Sequence, residues 1–65
     1  MKILVNGDWR DISAPRLSAV LEELGYGHSI VSTAVNGQFV SVDARAHTQL
    51  NDGDRIEVLA PMQGG

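Results

Sequence analysis

The sequence predicts an α+β fold in which five short strands pack on one main helix. Three observations carry that prediction. Two pairs of strand-like runs are each joined by Asn-Gly, at Asn6-Gly7 and at Asn36-Gly37. Between the pairs, Leu17, Val20, Leu21 and Leu24 recur at i, i+3, i+4 and i+7, the apolar stripe of a helix. After them a fifth run, Arg55 to Ala60, alternates Ile56 and Val58 with charged or exposed neighbours.

Lys2 to Asn6 alternates, with Ile3 and Val5 sharing one side, and reads as the first strand. Asn6-Gly7-Asp8 is turn chemistry, because Asn and Gly tolerate positive φ, and Trp9 to Ile12 returns as the second strand. Pro15 presets a helical φ and holds Ala14 out of the α region. The helix is therefore expected to start near Pro15, with Ser13 helping to cap it. Gly25 supplies a left-handed stop, and Tyr26 is expected to fold back on Leu21. At about ten residues, roughly 15 Å, such a helix is marginal alone and needs a sheet to lie on.

Ile30 to Val35 is rich in β-branched side chains and pairs with Gln38 to Val42 around Asn36-Gly37. Asp43 to Asn51 is polar and irregular, with Leu50 as its anchor in the core. Asp52-Gly53-Asp54 turns tightly into the last strand, where Ile56 and Val58 point inward and Leu59 outward. Pro61 cannot donate a ladder hydrogen bond, so pairing stops there. The expected organisation is one domain, residues 1–60, with a tail, residues 61–65.

A chain of 65 residues sits near the lower limit for a core without staples. It contains no cysteine, so neither a disulfide framework nor a thiolate metal site adds stability, and the 43% apolar residues must build the core. No apolar run approaches the roughly 20 residues of a membrane helix. The apolar stretch after Met1-Lys2 is too short for the core of a secretion signal, so a cytoplasmic location is expected. Net charge is −3, and Lys2, Arg10, Arg16, Arg45 and Arg55 are scattered. That pattern disfavours nucleic acid, which needs a clustered basic face, and favours a protein partner with a basic surface.

The sequence ends Pro61-Met62-Gln63-Gly64-Gly65. Two glycines without Cβ atoms make a slender arm whose α-carboxylate can enter another protein's active site. Extended at about 3.3 Å per residue, such a tail reaches roughly 16 Å. An incidental glycine end is the plain alternative.

The order hairpin, helix, hairpin, irregular segment, last strand and Gly-Gly resembles the ubiquitin-like β-grasp fold. Within it the chain resembles the thiamine-biosynthesis sulfur carrier family, ThiS, over essentially all 65 residues. The likeness is carried by Val5-Asn6-Gly7, Ala34-Val35-Asn36, Asp52-Gly53-Asp54-Arg55-Ile56-Glu57-Val58 and the stretch Pro61 to Gly65. It implies a mixed five-stranded sheet with the last strand parallel to the first in the middle. One departure is Ser41-Val42 and Arg45, where these carriers often have Pro-Arg and a Trp after the fourth strand.

The resemblance implies a carrier rather than an enzyme. Gly65 would hold the cargo: an E1-like adenylating enzyme of ThiF type activates its carboxylate, and sulfur from a cysteine desulfurase or rhodanese-type donor converts it to a thiocarboxylate. A thiazole synthase of ThiG type then accepts the sulfur. No cofactor of the chain's own is implied, ATP and magnesium being used by the activating partner. The implied partner-binding residues are Gly64, Gln63, Met62, Pro61 and Leu59. Gly64 is near-obligatory in a narrow channel, and Met62 suits a groove offered by several partners or is a loosely packed tail residue. Leu59, with Leu4 on the neighbouring strand, is expected to form an exposed apolar patch, although isolated exposed leucines need no special role.

Other residues carry weaker signals. Phe39 and Trp9 suit an edge of the core or a partner equally. His28 and His47 lack carboxylate or cysteine neighbours at ligand spacing, so no metal is expected. Asp52 and Asp54 read as turn residues satisfying backbone amides rather than a carboxylate pair. Asp11, Glu22, Glu23 and Glu57 read as solvated faces that help steer a basic partner. The competing functions are a sulfur carrier for molybdopterin synthesis, a ubiquitin-like protein modifier, and a plain interaction module.

Overall fold

The computed structural model describes residues 1–60; the tail expected at Pro61–Gly65, and with it the domain boundary, lies outside the described residues. Five strands appear in chain order as β1 (Lys2–Val5), β2 (Asp8–Asp11), β3 (Ser32–Val35), β4 (Gln38–Val40) and β5 (Arg55–Leu59). One α-helix, α1 (Leu17–Glu23), follows β2, and a 3₁₀ turn, Arg45–His47, follows β4. The sheet order is β2-β1-β5-β3-β4. β5 runs parallel to β1 and antiparallel to β3, so the last strand lies in the middle of a mixed sheet.

Both Asn-Gly pairs close two-residue hairpins with positive φ throughout: 49° and 88° at Asn6-Gly7, 51° and 83° at Asn36-Gly37. This is the turn whose twist matches that of paired strands. The core lies between the helix and one side of the sheet. Ile3, Val5, Ile56 and Val58 meet Leu17, Val20 and Leu21, with Ile12, Val31 and Leu50 sealing the ends. The strand alternation, the helix stripe and Leu50 all take the places the sequence predicts.

The helix begins later than expected. Arg16 stays extended and Pro15 stays outside the helix because both are tied to the irregular segment: Arg16 bridges to Gln49, Leu17 N–H donates to Thr48 O at 2.9 Å, and Leu50 N–H donates to Pro15 O at 2.8 Å. Arg16 at the N-cap has no side-chain capping bond. At the other end the stop is as expected. Gly25, at φ 93°, donates to Glu22 O at 3.0 Å, and Tyr26 N–H donates to Leu21 O at 2.8 Å. These are the two bonds of a Schellman ending.

Ser13 does not cap the helix from in front. Instead Glu23, in the last turn of α1, reaches back to it: the Ser13 N–H (3.1 Å to the nearer oxygen), the Ser13 hydroxyl (3.0 Å) and the Ala14 N–H (3.2 Å) all donate to the Glu23 carboxylate. These bonds, led by the Ser13 N–H and opposed in part by lost hydration, hold the Glu23 carboxyl below its ordinary pKa. Its contribution to stability is thus complete above the ordinary carboxylate value and is lost as pH falls through the lowered one. Below about pH 4.3 the unfolding midpoint of the unaltered chain is expected to fall more steeply than that of Glu23→Gln. Urea titrations of both proteins across that range check the difference.

The second hairpin is shorter than predicted at both outer ends. Ile30 is 83% exposed and lies outside β3, because Ser29 N–H donates to Tyr26 O (2.9 Å) and keeps the chain in a turn. Ser41 and Val42 lie outside β4. There the chain bends, with Ala44 N–H donating to Ser41 O at 3.0 Å and Arg45 N–H to Val42 O at 3.3 Å. Among the described residues, no helix is long and apolar enough to cross a membrane.

Candidate functional site

With Ile56 and Val58 buried against the helix, Arg55, Glu57 and Leu59 must project from the opposite side of β5. Register places the rest of that outer face. Trp9 lies opposite Leu4 on β2 and β1, and Arg55 lies beside Leu4 on β5. Glu57 lies beside Ala34, which in turn lies opposite Phe39 on β4. Trp9 and Phe39 are 60% and 73% exposed, so neither covers an edge of the core. The outer face thus carries an aromatic on each flank and an Arg-Glu stripe along the strand that leads to residue 61.

Leu59 faces out as predicted and is 64% exposed. It does not share a patch with Leu4. Leu4 aligns with Arg55, four residues earlier in β5, a separation of about 13 Å along the strand. Leu59 instead lies beside Ser32. Leu4 is half-buried and lines a shallow depression of about 310 Å³ with Asn6, Gly7, Arg55, Ile56 and Glu57. The other implied partner-binding residues, Pro61, Met62, Gln63 and Gly64, and Gly65, the implied cargo position, lie outside the described residues.

The turn carboxylates serve the backbone. Asp52 Oδ1 accepts the Lys2 N–H at 2.7 Å. Asp54 accepts the Asn51 N–H at 2.7 Å and the Asn36 side-chain amide at 3.0 Å. Asn36 in turn accepts the Arg55 N–H at 2.9 Å, while its own N–H donates to Arg55 O at 2.8 Å. The start of β5 is therefore pinned by the second hairpin turn. Among the described residues, no three His, Cys, Asp or Glu side chains gather to hold a metal ion.

Arg45 proves to be a structural latch, a role not legible from its position in the sequence. Its guanidinium donates to Val31 O at 2.6 Å and to the Thr33 hydroxyl at 3.1 Å. The Thr33 hydroxyl, buried in the core, donates onward to Val40 O at 2.9 Å. The 3₁₀ turn is thereby tied to β3 and β4, and Arg45 is committed to the fold rather than to a partner.

Comparison with known proteins gives consistent relatives. The ThiS family model matches residues 3–65. A sulfur carrier protein ThiS from Thermus thermophilus is 36% identical over 64 residues, covering 97% of this chain and 98% of that protein. A thiazole synthase from Paramagnetospirillum magneticum is 36% identical over 66 residues, which cover this whole chain but a fifth (20%) of the length of that relative. Among solved structures, the crystal structure of a thiamine biosynthesis protein (ThiS) from Geobacter metallireducens superposes with a TM-score of 0.84, at 28% identity and full coverage of both chains. A solution structure from the same organism gives 0.78 at 28% identity, covering all of this chain and 88% of that one.

Proposed function

The chain belongs to the ThiS family, and on that premise we propose that it carries sulfur for the thiazole of thiamine on the carboxyl group of Gly65. The observation that carries this reading is that the family match runs through residue 65, so the Gly-Gly end falls within the shared sequence. The chain is a carrier and not a catalyst. Its fold offers an outer sheet face on the strand that leads to residue 61, and chemistry is left to partners.

A carboxylate is a poor acyl donor, so it must first be activated. In the proposed sequence a Gly65 oxygen attacks the α-phosphate of ATP on an E1-like adenylating enzyme, and pyrophosphate leaves. A persulfide sulfur from a cysteine desulfurase or rhodanese-type donor attacks the acyl carbon, AMP departs with the electron pair, and a thiol cleaves the acyl disulfide to leave the thiocarboxylate. The resemblance to a stretch of a thiazole synthase supports an enzyme of that kind as the acceptor. Leu59, Phe39 and Trp9 are the apolar docking points in this reading, with Pro61, Met62, Gln63 and Gly64 threading toward the partner's active site.

Nutrition separates this role from a molybdopterin carrier. A strain deleted for the gene is expected to need thiamine or its thiazole for growth, and added thiazole restores it. Loss of molybdenum-enzyme activity with thiamine synthesis intact would overturn the assignment.

A further inference from the structure

β1 stops one rung short of where β5 needs it. The last register pair between them is Val5 with Ile56, and the chain then turns away at Asn6-Gly7. Along an extended strand, alternate residues aim their N–H and C=O at the same neighbour. Ile56 O points toward β1, where it accepts the Asn6 N–H at 3.0 Å. Val58, two residues on, therefore aims both its backbone groups at a position that β1 has already left.

The side chain of Asn6 fills that position. Its Oδ1 accepts the Val58 N–H at 2.9 Å, and its Nδ2 donates to Val58 O at 3.0 Å. A carboxamide offers the same donor and acceptor as a peptide group, so it continues the ladder after the backbone has turned off. An aspartate at this φ of 49° would also suit the turn, but its carboxylate accepts without donating. From the other side β3 holds the neighbouring residue, with Ser32 opposite Leu59. The end of β5 is thus gripped alternately, Leu59 by β3 and Val58 by Asn6.

Building on the carrier role, we propose that Asn6 is a positioning residue for sulfur loading: its carboxamide clamps Val58 and so fixes the end of β5, the base from which the chain beyond Leu59 is presented to an activating enzyme. Docking through the outer face sets how often carrier and enzyme meet. The clamp sets whether the carboxyl group arrives in line for attack, where small displacements are costly.

Two variants test this. Asn6→Gly keeps the positive-φ turn and removes both bonds; Asn6→Asp keeps the turn and the acceptor for the Val58 N–H but loses the donor. In Asn6→Gly, amide exchange at Val58 is expected to rise about tenfold or more relative to Glu57 and Leu59. Asn6→Asp should retain protection at that amide. Loading is then followed by mass with ATP, an E1-like adenylating enzyme and sodium sulfide. Both variants are expected to lose about tenfold or more in kcat while KM stays within about twofold. Exchange at Val58 rising only in step with its neighbours, or an unchanged kcat, overturns the proposal. Failure of the unaltered chain to load sinks the carrier role as well, whereas normal loading by Asn6→Gly sinks the positioning role alone.

Discussion

A chain lacking Gly65 is expected to support no thiazole synthesis while unfolding at the same temperature as the intact protein. The two halves of that result have separate physical causes. Among the described residues the buried apolar core runs from Ile3 to Val58, and residue 65 is a glycine with no side chain to add to it. In the proposed chemistry, however, the terminal carboxyl group is the reacting group, and a carboxyl moved back to Gly64 falls about 3.3 Å short of the activated phosphate. Near-attack geometry does not survive a displacement of that size. Thiazole production in a complemented deletion strain, beside calorimetry of the purified chain, checks both halves. A shortened chain that still supports synthesis would mean that the terminal glycine carries no cargo.

Leu21→Ala is expected to cost about 2–4 kcal/mol, because it empties a buried position that the rest of the core is too small to refill. Leu21 is 4% exposed and belongs to the stripe that fastens α1 to the sheet. Val58→Ala, on the facing strand, should act in the same direction. In a domain of this size each kcal/mol moves the melting temperature by roughly 4–8 °C. The substitution therefore removes a large share of a total stability that is of the order of 5–15 kcal/mol for natural domains. A thermal melt unchanged by Leu21→Ala would contradict the packing of α1 on Ile56 and Val58.

What the sequence revealed and what it concealed divide along the range of the interactions. The Asn-Gly turns, the helix stripe, the Gly25 stop and the inward parity of Ile56 and Val58 rest on neighbours a few residues apart, and each was legible. The late start of α1 was not, because Pro15 and Arg16 are held out of the helix by partners at Thr48, Gln49 and Leu50. Arg45 gave no local sign that it would bind Val31 and Thr33. Asn6 and Asn36 were legible as turn formers, yet their side chains also grip opposite ends of β5, which lies distant in sequence and central in space. The central place of β5 itself came from the family resemblance and not from periodicity. Register then separated Leu4 from Leu59, which parity alone had placed on one patch.

The most direct test of the account is the intact mass of the chain after incubation with ATP, an E1-like adenylating enzyme and a sulfur source. The account predicts a single replacement of oxygen by sulfur, located by fragmentation at Gly65. An unchanged mass beside an adenylating enzyme shown to be active, or sulfur found on any other residue, would contradict it.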